Sequence, residues 1–76
     1  MSFHLLLRKI RLERNLTYRQ LAAKARIDHT TVCYLERKKY PPRSYTVACI
    51  IRGLDLPPET ALELYRACAR DAGWNI

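Results

Sequence analysis

The chain has 76 residues, and 14 Lys and Arg against 7 Asp and Glu give it a net charge of +7. We expect residues 1–76 to form a single domain with a small core and little room for a deep active-site cleft. The positive charge favours an anionic partner, which could be nucleic acid, a membrane surface or an acidic protein.

The basic residues are concentrated in the first two thirds of the chain. Residues 1–53 contain 12 basic and 3 acidic residues, whereas residues 54–76 contain 2 and 4. We therefore expect a basic surface on the first part and a different role for the last segment.

The cysteines and histidines indicate neither disulfides nor a metal site. Cys33, Cys49 and Cys68 are odd in number and form no CxxC pair, which favours a reducing cytoplasm. No metal-ligand spacing joins them to His4 or His29, so we expect no zinc and no other cofactor. No apolar run approaches the ~20 residues of a membrane-spanning helix.

The first of five predicted helices runs from about Phe3 to Arg14. Apolar residues recur in it at helical spacing, and Ser2 is the expected N-cap. Asn15 can adopt the left-handed conformation that ends a helix.

Residues 17–36 predict two short helices joined by a tight corner, Tyr18 to Ala25 and His29 to Arg37. Thr17 with Gln20 has the spacing of a capping box, and Asp28 is a good N-cap for the second helix. Helices this short are not stable alone. They make sense as a helix-turn-helix, in which the first helix braces the second in the major groove of DNA.

The remaining residues predict two more helices after a proline-containing connection. The fourth runs from about Tyr45 to Arg52, with Ser44 as N-cap and Gly53 as its end. The fifth opens at Pro57-Pro58 and ends near Gly73. Its expected apolar stripe comprises Leu62, Tyr65, Cys68, Ala69 and Ala72. No strand is predicted, so the fold class is all-α.

Several motifs together resemble the lambda-repressor-like, Cro/Xre-type helix-turn-helix domain over about Leu7 to Leu56. They are an Arg-rich first helix, Leu-Thr before the second helix and Leu-Ala within it, Val-x-x-Leu-Glu at the end of the third, and a proline after a basic turn. The resemblance implies a five-helix fold and an ion pair between Arg11 and Glu36. It also implies a sequence-specific regulator of transcription, encoded by a bacterium, phage or plasmid.

The sequence departs from the family pattern at three positions. Arg26 stands in the corner where the family usually has Gly, and Lys38 replaces the Gly of the usual Glu-x-Gly after the third helix. Tyr18 replaces the usual Gln at the start of the second helix. A non-Gly residue at positive φ costs about 1 kcal/mol, so we expect a slightly remodelled corner.

Candidate DNA contacts fall into two classes. The family's base-contacting positions correspond to His29, Thr30 and Tyr34, with Cys33 beside them. Phosphate contacts are expected at the start of the second helix and around the end of the third. These residues are Thr17, Tyr18, Arg19, Thr31, Arg37, Lys38, Lys39, Tyr40 and Arg43.

One copy would cover one half-site, so we expect a homodimer that binds a palindromic operator as a repressor of the phage-Cro or restriction-modification-controller type. Residues 57–76 are the expected dimer element. The candidate interface residues are Leu64, Tyr65, Cys68, Trp74 and Ile76.

Three alternatives remain open. The last helix could only close the core, the protein could be an antitoxin that binds a toxin, or it could be a protein-interaction module of this fold without DNA binding. No acid/base or nucleophile constellation predicts an enzyme, and we expect no small-molecule effector.

Overall fold

The computed structural model describes residues 2–38 and 41–72, with side chains up to residue 71. These residues form five α-helices and no strand: α1 (Phe3–Glu13), α2 (Tyr18–Ala25), α3 (His29–Glu36), α4 (Ser44–Leu54) and α5 (Pro58–Ala72). The predicted all-α fold is confirmed. No helix in this part of the chain is both long and apolar enough to cross a membrane.

The helices pack around one apolar core. In the order of the chain, α2 packs against α3 and α4, while α5 packs against α1 and α4, and α1 also contacts α3. The largest fully buried side chains are Phe3, Leu7, Leu21, Val32, Val47, Ile50, Leu64 and Cys68. Every helix contributes at least one of these side chains. Helices from both ends of the chain therefore share one core with α2 and α3.

The N-terminus of α1 is capped from the other end of the chain. Ser2 occupies the N-cap position, but its hydroxyl pairs with Nδ1 of His4 at 3.1 Å and makes no capping bond to the helix. Instead, the backbone N–H of Phe3 donates to Oδ2 of Asp71 at 2.8 Å. A carboxylate at the positive end of a helix is favourable, so Asp71 replaces the expected Ser2 cap and ties α5 to α1.

Both predicted ends of α4 were wrong. Arg43 is the N-cap residue and makes no side-chain capping bond, and Ser44 is already the first helical residue. Gly53 lies inside the helix. The last helical residue is Leu54, and the C-cap residue Asp55 is left-handed, with φ of 51°. A Cβ atom at Gly53 would collide with the backbone carbonyl of Lys24 and the Cα of Ala25. Glycine is therefore present because α2 and α4 approach each other there, and not because the helix stops.

The predicted apolar stripe of α5 has the wrong phase. Leu64, which the stripe omitted, is fully buried, and Cys68 and Ala69 are buried as predicted. Leu62 and Tyr65 remain 51% and 37% exposed. The side chain of Ala72 and the predicted C-cap Gly73 lie outside the described residues. Apolar residues occur on most sides of α5, so its packing partners decide which side is buried.

Candidate nucleic-acid interface

The start of α2 carries the predicted capping box. The backbone N–H of Gln20 donates to Oγ1 of Thr17 at 3.1 Å, and the N–H of Thr17 donates to Oε1 of Gln20 at 2.9 Å. The reciprocal bonds satisfy two helix-end donors. They also occupy the side chain of Thr17, so its predicted phosphate contact would have to share this hydroxyl.

The corner between α2 and α3 is closed by a left-handed residue. Arg26 has φ of 58° and ψ of 42°, which lets the N–H of Ile27 bond to the carbonyl of Ala22 at 3.0 Å. Asp28 then begins α3, accepting the N–H of Thr30 on Oδ1 at 3.2 Å. Arginine thus takes the left-handed conformation in this corner, at the conformational cost expected of a non-Gly residue.

Arg11 connects the three helices of the first part of the chain. Its Nε and Nη2 donate to the two carboxylate oxygens of Glu36 at 2.6 and 3.1 Å, and its Nη1 donates to the carbonyl of Leu16 at 2.8 Å. Its guanidinium also lies 4.4 Å from the ring centroid of Tyr18. A bidentate pair has a defined geometry, so these contacts fix the end of α3 relative to α1 and to the start of α2.

The Arg11–Glu36 pair is largely removed from water, with side-chain exposures of 12% and 2%. The hydrogen bond to Glu36 raises the pKa of Arg11, against a smaller lowering by burial. The sequence resemblance implied this pair, but it gave no sign of the Leu16 carbonyl or of the stacked Tyr18 ring. Tyr18 therefore has a structural role at the position where the family usually has Gln.

The predicted base-contacting residues lie on one side of α3. Val32 and Leu35 are buried, while His29 is exposed and Thr30, Cys33 and Tyr34 are partly exposed. Positions i, i+1, i+4 and i+5 share a helix face. Nδ1 of His29 lies 3.5 Å from Oδ1 of Asp28, so the first of the candidate readers is next to the helix cap.

The predicted phosphate-contacting cations lie around this face. Arg19 is exposed at the start of α2, and Arg37, Lys38 and Arg43 are exposed at and after the end of α3. None of these four side chains has a hydrogen bond or ion pair within the described part of the chain. They are therefore available to an anion.

Other predicted phosphate contacts are placed differently. Thr31 is turned towards α4, where it lines a cavity of about 280 Å³ together with Arg43 and Thr46. Lys38 is left-handed, with φ of 60°, a conformation that glycine adopts at less cost. The predicted contacts Lys39 and Tyr40 lie outside the described residues.

The predicted dimer residues do not form one surface. Leu64 and Cys68 are fully buried in the core of the monomer, so they are not available to a second copy. Burial, assisted by the charge of Asp71, raises the pKa of the Cys68 thiol. Tyr65 is exposed next to Leu62, which the sequence did not suggest as an interface residue. Trp74 and Ile76 lie outside the described residues.

The side chains of residues 2–38 and 41–71 contain no group of three His, Cys, Asp or Glu residues that could hold a metal ion. The exposed polar groups near α3 are mostly cations, hydroxyls and an imidazole, with the Asp28 carboxylate engaged in the helix cap. These groups suit phosphate oxygens and base edges.

Comparison with known proteins agrees with this arrangement. A family model described as helix-turn-helix matches residues 7–60, which extend from within α1 to the start of α5. Searches of curated proteins and of solved structures gave no significant match. The family consists of DNA-binding regulatory domains and not of enzymes. From the match over most of its length and the five-helix fold, the chain belongs to the Cro/CI-type helix-turn-helix family, with a lambda-repressor-like fold.

Proposed function

We propose that the protein is a transcriptional repressor that binds a palindromic operator as a homodimer and reads base edges with α3. The observation that supports it is the exposed side of α3, a helix that Arg11 and Glu36 hold in one orientation. This side is bordered by cations that have no partner among the described residues. A rigidly held element with a polar, accessible face is suited to reading bases in the major groove.

Three side chains supply the readout chemistry. His29 can donate to a guanine or thymine acceptor, Thr30 can bond a base edge or touch a thymine methyl group, and Tyr34 can reach a base or a phosphate oxygen. Cys33 lies between Thr30 and Tyr34 in α3 and is partly exposed, so we expect bound DNA to cover it.

The cations supply affinity and register. Arg19 on one side, and Arg37, Lys38 and Arg43 on the other, are exposed and unpaired among the described residues. Phosphate contacts of this kind position a protein without reading sequence, and they make binding strongly dependent on salt.

A homodimer is proposed from the single helix-turn-helix of the domain and from the exposed side of α5. The described residues contain one recognition helix, α3, so two copies are needed to reach two successive major grooves, which are about 34 Å apart. Leu62 and Tyr65 present exposed apolar area on α5. We therefore propose that the two-fold contact lies within residues 57–76.

In vitro selection from a randomised duplex library tests the proposal. We expect enriched sequences to be two-fold symmetric, with half-site centres about 10 bp apart or a multiple of this. A library that shows no enrichment would contradict sequence-specific binding and would favour a protein-interaction module of the same fold.

The native cysteines report which surface the DNA covers. Alkylation followed by mass spectrometry should modify Cys33 in the free protein and should be slowed at Cys33 when the selected duplex is added. Cys68 is fully buried, so it should stay unmodified in both states and serve as the internal reference. Equal alkylation of Cys33 with and without the duplex would show that α3 does not face the DNA.

A further inference from the structure

A second basic surface lies between the C-terminal parts of α2 and α4. Lys24, Arg26 and Arg52 line an open cleft of about 560 Å³, together with Tyr45, Cys49, Ala25 and Gly53. Tyr45 is 77% exposed, the most exposed of the large hydrophobic side chains in the described ranges. None of these three cations was among the DNA contacts expected from the sequence.

The three cations have no partners in the described residues, neither a hydrogen bond nor an ion pair to their side chains. No acidic residue lines the cleft. The adjoining hollow shares Lys24 and Gly53 with it and contains Asp55 and Arg14. Arg14 is already engaged there, since its Nη1 donates to the carbonyl of Leu54 at 2.9 Å.

Helix dipoles explain only part of this charge. Lys24 and Arg52 stand in the last turns of α2 and α4, where cations offset the negative helix ends. Arg26 lies beyond the end of α2 in the left-handed corner residue. At that position glycine would be easier to accommodate, so the side chain of Arg26 needs an explanation other than the fold.

Whether the partner is an acidic protein or DNA can be argued from the free energy that each exposed cation contributes to binding. Exposed ion pairs with an acidic protein segment add little each, because water and salt screen them. Each DNA phosphate that a cation neutralises also releases condensed counterions, which makes a small group of cations effective on nucleic acid. The exposed Tyr45 ring among these cations suits packing on a sugar with its hydroxyl towards a phosphate.

Two residues of the cleft lie close in the chain to the proposed DNA surface. Arg26 is two residues before Asp28, the cap of α3, and Tyr45 is two residues after Arg43. We therefore expect the phosphates nearest to the cleft to be those of DNA beyond the sequence that α3 reads.

We propose that this cleft binds the sugar-phosphate backbone of the DNA that flanks the half-site, through Lys24, Arg26, Arg52 and Tyr45. This inference rests on the proposed function, and it adds a contact outside the sequence that α3 reads. The cleft extends the footprint and the affinity, and it carries no base specificity.

Cys49 lies in the cleft, whereas Cys33 lies on α3, so alkylation separates the two proposals. We expect a duplex trimmed to the selected site to protect Cys33 only, and the same site with about one helical turn of DNA on each side to protect both thiols. Protection of Cys33 with unchanged Cys49 on the flanked duplex would overturn the cleft proposal alone. Absence of protection at Cys33 would overturn the proposed function and the cleft proposal together.

Salt dependence gives a second test that does not rely on thiol chemistry. The triple variant Lys24→Gln, Arg26→Gln, Arg52→Gln is compared with Leu5→Glu, Arg8→Gln, Lys9→Gln, which lowers the net charge by the same amount at exposed positions of α1. On the flanked duplex, removing one cation from a DNA phosphate should reduce the slope of log K against log salt by about 0.9. We expect the slope of the cleft variant to be reduced by up to three such steps relative to the control.

On the trimmed duplex the two triple variants should have equal slopes. Equal slopes on the flanked duplex as well would contradict the cleft proposal, since the reduction would then follow from net charge alone. Both triple variants change exposed residues, and a circular dichroism spectrum identical to that of the wild type verifies that each one is folded.

Discussion

The two parts of the molecule are held together by different means. In residues 2–38, directional polar contacts are prominent: the Thr17–Gln20 capping box and the Asp28 cap fix the starts of two helices, and the bonds of Arg11 determine how the helices meet. In residues 41–72, buried apolar side chains and the close crossing at Gly53 predominate. The bonds of Arg11 therefore set the orientation of α3, while α4 and α5 pack apolar side chains against α2 and α1.

The largest expected effect concerns the core of the second part. Leu64→Ala should lower the free energy of unfolding by about 2–5 kcal/mol, because it leaves a cavity in a fully packed core. Leu62→Ala, on the exposed side of the same helix, should change it by less than about 0.5 kcal/mol. Urea denaturation at a concentration where the protein is monomeric measures both, and equal losses would contradict the observed phase of α5.

Breaking the ion pair tests the polar control of orientation in the first part. Glu36→Gln should lower the free energy of unfolding by about 3 kcal/mol, because it leaves the charge of Arg11 without its carboxylate in a largely buried site. The matched control is Glu13→Gln, which removes one exposed carboxylate and should leave the free energy of unfolding nearly unchanged.

If the pair orients α3, Glu36→Gln should also weaken DNA binding under conditions where the variant is still folded, whereas Leu64→Ala should not. DNA titrations at a temperature well below both unfolding midpoints measure this. Equal affinities for the two folded variants would remove the distinction between the two parts of the molecule.

The sign of the change at Gly53 distinguishes close packing from ordinary helix propensity. Propensity alone would make Gly53→Ala stabilising by about 1 kcal/mol. The collision of the new Cβ with the backbone of Lys24 and Ala25 should instead make it destabilising by about 1–3 kcal/mol. Thermal unfolding decides the sign, and a stabilised variant would show that α2 and α4 are not in contact there.

The smallest effects are expected at the two left-handed residues that replace the family's glycines. Arg26→Gly and Lys38→Gly should each stabilise the protein by up to about 1 kcal/mol, by relieving a strained φ near 60°. Arg37→Gly is the control, because its φ of −93° needs no glycine and the substitution should destabilise. If all three substitutions changed stability in the same direction, backbone strain would not be the cause.

Local signals predicted most of the first part of the molecule. The caps at Thr17 and Asp28 act over two or three residues, and both are present in the structure. The bounds of α2 are those predicted, and α3 ends one residue earlier than predicted. The family motif implied the Arg11–Glu36 pair, whose members are 25 positions apart.

Features that depend on tertiary contacts could not be predicted from the sequence. Asp71 caps α1 across 68 positions, and no local sequence pattern predicts this contact. The side of α5 that is buried depends on α1 and α4, because the apolar residues of α5, Ala67 included, extend over more than half of the helix circumference. Gly53 looked like a helix stop, since an end signal and a close-approach site use the same residue type.

The central claim is that α3 reads base edges while the cations around it bind phosphates. The most direct measurement is the ratio of affinities for the selected duplex and a scrambled one, for the wild type, Thr30→Ala and Lys38→Gln. We predict that Thr30→Ala lowers this ratio by about tenfold, roughly 1.4 kcal/mol, and that Lys38→Gln lowers both affinities and leaves the ratio unchanged. A wild-type ratio near one, or a ratio unaffected by Thr30→Ala and lowered by Lys38→Gln, would contradict the account.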